Sequence, residues 1–168
     1  VAGRGIEDNP AIHVLRDWGI FENALEYHLL ASRMQAWDGS ECSGAVLKNN
    51  LYMPAGWAFP EDWGRWSLDL CSSIKFIPAP ELVAQPKPAL QIRGRYFGPV
   101  EETGVFVNGE RLGNFELRDA RIDLPPGCLT GKHVELDLVH HEPLRPSDVS
   151  DSDDQRQIKF GLESIAIV

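Results

Sequence analysis

Cysteine is scarce in this chain: three in 168 residues, Cys42, Cys71 and Cys128, widely spaced and with no C-x-x-C pair. So few, in an odd number, do not make a disulfide framework, and their scatter makes a poor zinc site; they are expected as free, buried thiols in a reducing compartment. Positive charge is short as well. Sixteen basic residues against 25 acidic give a net charge of −9, which argues against nucleic acid or anionic lipid as the main partner. No run approaches the ~18 apolar residues of a transmembrane helix, and no signal-peptide pattern opens the chain. With the free cysteines, this points to the cytoplasmic side, next to a membrane through a partner. The first residue is Val rather than Met, so the chain is expected to be an excised or processed piece of something longer.

Catalytic signatures are missing too. Without G-x-S-x-G there is no nucleophile elbow. Asp151-Ser152-Asp153 spells D-x-D, and clustered carboxylate oxygens are what a divalent cation needs. A nucleotide-sugar enzyme would also need a strand–glycine turn–helix unit, which does not occur. Asp151, Asp153 or Asp154 can offer a loop calcium site; the plainer expectation is a solvated acidic loop or one paired with Arg156. His133, His140 and His141 lie on or near one strand, where neighbours face opposite ways, so His140 and His141 cannot readily share a metal even with Glu142 nearby. They are expected at the surface. No carboxylate pair stands out with a glycosidase separation. The expectation is no catalytic residue, no metal and no cofactor.

What is present is an ordinary globular composition, 43% hydrophobic and 24% charged, in a length that suits one domain with an appendage. Asn9-Pro10 opens a helix, and Val14, Trp18, Phe21, Leu25 and Leu29 then recur at helical spacing up to about Trp37. Gly19 makes this two short helices or one kinked helix. A second row, Ile20, Ala24, Tyr27, Leu30 and Met34, makes the segment apolar on more than one face, suited to a partner or a second copy. Residues 1–40 are therefore read as a helical lead-in or linker and 41–168 as a β domain.

Beyond Gly39 the period changes to two. Strands are expected in Ala45–Met53, Trp66–Ile77, Ala89–Phe97, Gly104–Val107, Glu110–Phe115, Leu117–Leu124, Lys132–His141 and Gln157–Val168. Asn108-Gly109 is a strong hairpin signal. In the last strand Ile158, Phe160 and Leu162 are in one phase and Ile165 and Ile167 in the other, so a bulge near Ser164 or burial on both faces is expected. About eight antiparallel strands at such spacings read as a sandwich or jelly roll.

The densest stretch is Gly56 to Ser67, which holds three of the five tryptophans. Pro60 and Gly64 break any helix there. Trp57 and Trp63 can stack on sugar faces while Glu61, Asp62 and Arg65 take hydroxyls. The alternative is that the rings plug the core, and Trp66, which starts a strand, is read that way. Arg156 offers a planar fork that Asp153 or Glu61 can accept, tying the last strand to the Trp loop.

Three pieces in order carry a resemblance: Gly56-Trp57-x-x-Pro60-Glu61-x-Trp63-Gly64-x-Trp66-Ser67, then Val107-Asn108-Gly109, then Pro146 and Ser150 through Ser152-Asp153-x-x-Arg156 to Phe160-Gly161-Leu162-x-x-Ile165. Over roughly residues 45–168 this resembles the β-sandwich accessory domain found beside bacterial cell-surface polysaccharide glycosyltransferases. The resemblance implies a noncatalytic module with a glycan or polysaccharide and a neighbouring glycosyltransferase domain as partners. The alternatives carried with it are a protein-interaction or homo-oligomerisation module acting through residues 11–37, and a glycan-active enzyme.

Overall fold

Period-two alternation sets up strands with one buried face each, and two packed sheets satisfy them. The computed structural model describes residues 35–46, 50–130 and 132–168, all within one compact unit. β1 (Cys42–Ser43), β3 (Arg65–Trp66), β5 (Ala89–Tyr96), β8 (Asp119–Asp123) and β10 (Phe160–Ile167) form one five-stranded antiparallel sheet. β2 (Tyr52–Ala55), β4 (Cys71–Phe76), β9 (Val134–Val139), β6 (Thr103–Val107) and β7 (Glu110–Phe115) form the other, in that order. In the first sheet β10 lies between β5 and an edge made of two short strands, with β3 pairing Gly161–Leu162 and β1 pairing Ser164–Ile165. Two single helical turns, α1 (Pro80–Val83) and α2 (Pro146–Val149), each start on a proline, whose missing N–H is not needed there.

Both sheets feed one core. Leu90, Ile92, Phe160, Leu162 and Ile165 from the first meet Ile74, Phe76, Val105, Leu136 and Leu138 from the second, which is the antiparallel β-sandwich expected. Along β9, Val134, Leu136 and Leu138 are buried while Glu135 and Asp137 are half-buried. The β6–β7 hairpin turns on Asn108 (φ 50°) and Gly109 (φ 81°), the left-handed pair that matches strand twist. Asn108 also braces the turn: its side chain donates to the Cys128 carbonyl and accepts from the Glu135 N–H, both at 2.9 Å. The register shift in β10 falls between Leu162 and Ser164, so Glu163 is the extra residue where the sequence phase slips.

Among the described residues ten strands are seen rather than about eight. β1 adds one, and the stretch 66–77 divides into β3 and β4, which belong to different sheets. Asp69, at φ 57°, makes the crossing, and Leu70, in phase with the apolar Trp66, Leu68, Ile74 and Phe76, is 61% exposed. Ser67, in phase with the polar Asp69, Ser73 and Lys75 of that stretch, is fully buried, its Oγ accepting the Phe160 N–H at 3.0 Å.

The lead-in differs at its end. Trp37, read as the last helical residue, is extended: its N–H donates to the Ile77 carbonyl and its carbonyl accepts from Ala79. The ring is fully buried, edge-on to Phe76 at 5.0 Å. Burying an indole against the sandwich outweighs continuing a helix. The helical reading of residues 11–34, and the oligomerisation surface placed there, lie outside the described residues. Of the three cysteines, Cys42 is buried, Cys128 half-buried and Cys71 exposed, so burial holds for Cys42 alone. Among the described residues no helix is long and apolar enough to cross a membrane.

Candidate functional site

The Gly56–Ser67 stretch is a closed loop rather than a solvated one. Residues 56–58 zip against 66–68: the Leu68 N–H donates to the Gly56 carbonyl and the Ala58 N–H to the Trp66 carbonyl. Inside that ladder a tight turn links the backbones of Glu61 and Gly64 in both directions. Phe59 is thrown outward and is 92% exposed. Asp62 is exposed at the tip and has no ion pair among the described residues.

Trp63 sits on the outer face of the first sheet. Gly161 and Arg95 are register partners there, pointing away from the core that Leu162 and Ile92 fill. A Cβ on Gly161 would lie 2.5 Å from the Trp63 ring and 3.0 Å from the Trp66 ring. The indoles occupy the space a side chain would take. Trp66 meets Trp63 edge-on at 4.9 Å and Phe97 at 6.2 Å. The Arg95 guanidinium lies 4.2 Å from the Trp63 ring centroid, a cation–π contact, while pairing with Glu163.

Glu61 joins the loop to the last connection. One carboxylate oxygen accepts the Trp63 indole N–H at 2.9 Å, and the other accepts from Arg156 at 3.2 Å. Arg156 also grips Asp154 through Nε and a terminal nitrogen, the shortest contact being 2.7 Å. Hydrogen bonding from Arg156 holds the Asp154 carboxyl below the usual carboxylate range and raises the guanidinium in turn. The acidic partner in that loop is therefore Asp154; Asp153, expected in the role, is exposed. The backbone N–H of Arg156 also donates to Asp154, a local turn that selects the carboxylate two residues back.

The remaining expected site residues fall elsewhere. Trp57 is half-buried against the core with its indole N–H on the Ser73 carbonyl at 2.9 Å. Arg65 is half-buried; burial lowers its pKa from the ordinary arginine value, and its Nε finds no acceptor among the described residues. The structure thus brings Glu61, Trp63, Trp66 and Arg156 together, leaves Asp62 and Phe59 exposed on the same loop, and turns Trp57 inward. Arg95, Glu163 and Gly161 complete the cluster. Arg95 is visible in the sequence as an outward residue of an alternating strand, but its closeness to Trp63 depends on cross-strand register.

A second polar cluster lies after β9. His140, expected at the surface, is 3% exposed. Ser72 Oγ donates to the Gly56 carbonyl at 2.7 Å and so accepts from His140 Nε2 at 2.9 Å. That leaves Nδ1 bare, without a partner among the described residues. Burial first, then the nearby Lys159 ammonium, lowers the His140 pKa from 6.5 to about 4. Lys159 is itself buried and pairs with Glu101 at 2.6 Å. Glu101, His141 and Glu142 form the one grouping of possible metal donors among the described residues, and the Lys159 ammonium already neutralises its Glu101.

No family model matches the chain, and no curated protein matches it. Among solved structures it is similar to the carbohydrate-binding module CBM36 in complex with calcium and xylotriose, at 12% identity and a TM-score of 0.42 over 77% of this chain and 99% of that one. It is also similar to a family 35 carbohydrate binding module from an environmental isolate, at 15% identity and a TM-score of 0.40 over 80% and 90% of the two chains. A CBM36-1 domain of a multidomain xylanase from the hindgut metagenome of Trinervitermes trinervoides gives 14% identity and 0.38 over 77% and 90%.

Proposed function

We propose that this chain is a noncatalytic, glycan-contacting β-sandwich module of a bacterial surface-polysaccharide glycosyltransferase system. The observation that carries the glycan part is the Trp63 platform. A half-buried indole is fixed on the outside of a sheet by Gly161, Trp66 and Arg95, and the loop that carries it also exposes the Phe59 ring and the Asp62 carboxylate. Rigid aromatic surface beside polar groups is what a sugar ring needs, with C–H faces on the rings and hydroxyls on the polar ends. The glycosyltransferase part rests on the resemblance of the three motif pieces. One stacked ring and a few hydrogen bonds of about 1 kcal/mol each put single-sugar affinity near millimolar. Titrating envelope oligosaccharides while recording amide shifts and Trp fluorescence tests this, with Trp63→Ala and Phe59→Ala as controls. Binding that Trp63→Ala abolishes and Phe59→Ala weakens is expected; no response at millimolar concentration defeats it.

One observation favours a second reading. Both oxygens of Glu61 are already engaged within the protein and Trp57 faces the core, as in a protein-interaction module whose Trp cluster is packing. That reading predicts an oligomer in solution that becomes a monomer when residues 1–34 are removed, with no glycan response.

A further inference from the structure

β10 makes a trough on the outside of the first sheet. Gly161, Ser164 and Ala166, which are small, face outward in register with Arg95, Arg93 and Gln91, and the one long side chain among them, that of the extra residue Glu163, is drawn against Arg95. Long side chains stand on both sides. On β5 and β8 these are Gln91, Arg93 and Arg121; on the opposite edge Glu41 stands beside β1 and accepts from the Ser164 hydroxyl at 2.8 Å, and together they line an open groove with Ala166 in its floor. Trp63 stands over Gly161 and closes one end. Five residues of strand at about 3.3 Å each give the floor a length of about 16 Å, room for several sugars in a row.

The groups lining this trough are only partly used. Arg93 lies 3.9 Å from Glu41 and 3.5 Å from Asp119, too long for good hydrogen bonds. Gln91 donates to Asp119 at 2.8 Å and keeps its carbonyl oxygen free of that bond. Arg121 is exposed. Positive charge is not in excess: Arg93, Arg95 and Arg121 face Asp38, Glu41, Asp119 and Glu163 in a protein whose net charge is −9. A polyanion gains nothing from such a surface. A peptide strand gains little, because this is a sheet face whose backbone groups are already paired, not an edge. A chain of uncharged hydroxyls, each both donor and acceptor, matches alternating guanidinium, amide and carboxylate groups.

We propose that an extended, uncharged glycan lies along the outer face of β10, one sugar against Trp63 and the next ones over Ser164 and Ala166 between Arg93 and Glu41. This rests on the glycan-contact reading above and adds the path, the polarity and the minimum length of the ligand.

The test uses the whole chain, with linear di- and tetrasaccharides of glucose, xylose and mannose, and a galacturonate tetramer, followed by amide shifts and calorimetry. At least one neutral tetramer should bind about tenfold or more tighter than its dimer and shift residues 91–95 and 164–168. Arg93→Ala and Ala166→Leu should each remove about tenfold from tetramer binding and leave the dimer unchanged; if Ala166→Leu folds poorly, Arg93→Ala decides. Shifts confined to residues 57–66, with no gain from length, overturn the trough and leave the Trp63 platform standing. Preference for the galacturonate tetramer overturns the uncharged class. No shift with any of these probes defeats the platform and the trough together.

Discussion

Replacing His140 by phenylalanine should flatten the acid side of this protein's stability curve. In the folded chain His140 is sealed between Ser72 and Phe160, with Lys159 near, and takes up a proton only at about pH 4. In the unfolded chain the same imidazole does so near 6.5. Between these values the unfolded state holds the extra proton, so stability is complete above about pH 6.5 and is lost as the pH falls toward 4. At 1.36 kcal/mol per pH unit, the fall from 6.5 to 5 removes about 2 kcal/mol. Glu101 and Asp154, whose carboxyls are held low by Lys159 and Arg156, lose their contribution at still lower pH, so an end point of pH 5 keeps them apart. In His140→Phe the new phenyl ring would keep the stack on Phe160, and Ser72 would still donate to Gly56. At pH 7.5 the variant should therefore lie within about 1 kcal/mol of the parent. Urea unfolding of both proteins at pH 7.5 and 5 measures the effect, and histidines elsewhere cancel in the comparison. Equal acid losses in the two proteins would refute the burial argument.

Gly161→Ala should cost about 1–3 kcal/mol through overpacking, since its Cβ would land 2.5 Å from the Trp63 ring; denaturant unfolding gives the loss, and altered Trp emission shows that the indole has moved. Asn108→Ala loses two hydrogen bonds that brace the hairpin and a residue suited to φ 50°, for about 1–3 kcal/mol by thermal or urea unfolding.

Much of this architecture can be read from residue order because it depends on local rules. Val134, Leu136 and Leu138 alternate with polar neighbours, Asn108-Gly109 needs left-handed backbone, and the phase slip before Ile165 demands an extra residue at that point. What escapes depends on contacts between distant segments. Ser67 looks solvent-facing until the Phe160 N–H comes to meet it, and His140 looks like a surface histidine until Ser72 and Phe160 close over it. The same holds at the candidate site. A bond from Arg156 to Glu61 is legible as complementary chemistry, whereas the choice of Asp154 over Asp153 hinges on one backbone turn. Arg95 reaches Trp63 only through the registry of β5 on β10. Trp37 is misread because helical spacing carries no information about where a ring can be buried.

The position of β10 has a consequence for how the chain acquires its structure. The last of these ten strands in chain order is the one to which β1, β3 and β5 all attach, so until β10 emerges β1 and β3 have no partner in the sheet and β5 has only β8. Before then, β4, β9, β6 and β7 can already associate, leaving the apolar side of their sheet uncovered. Nascent chains halted just short of Phe160 should therefore be the species most dependent on chaperones, and completion of one segment should convert them in a single cooperative step.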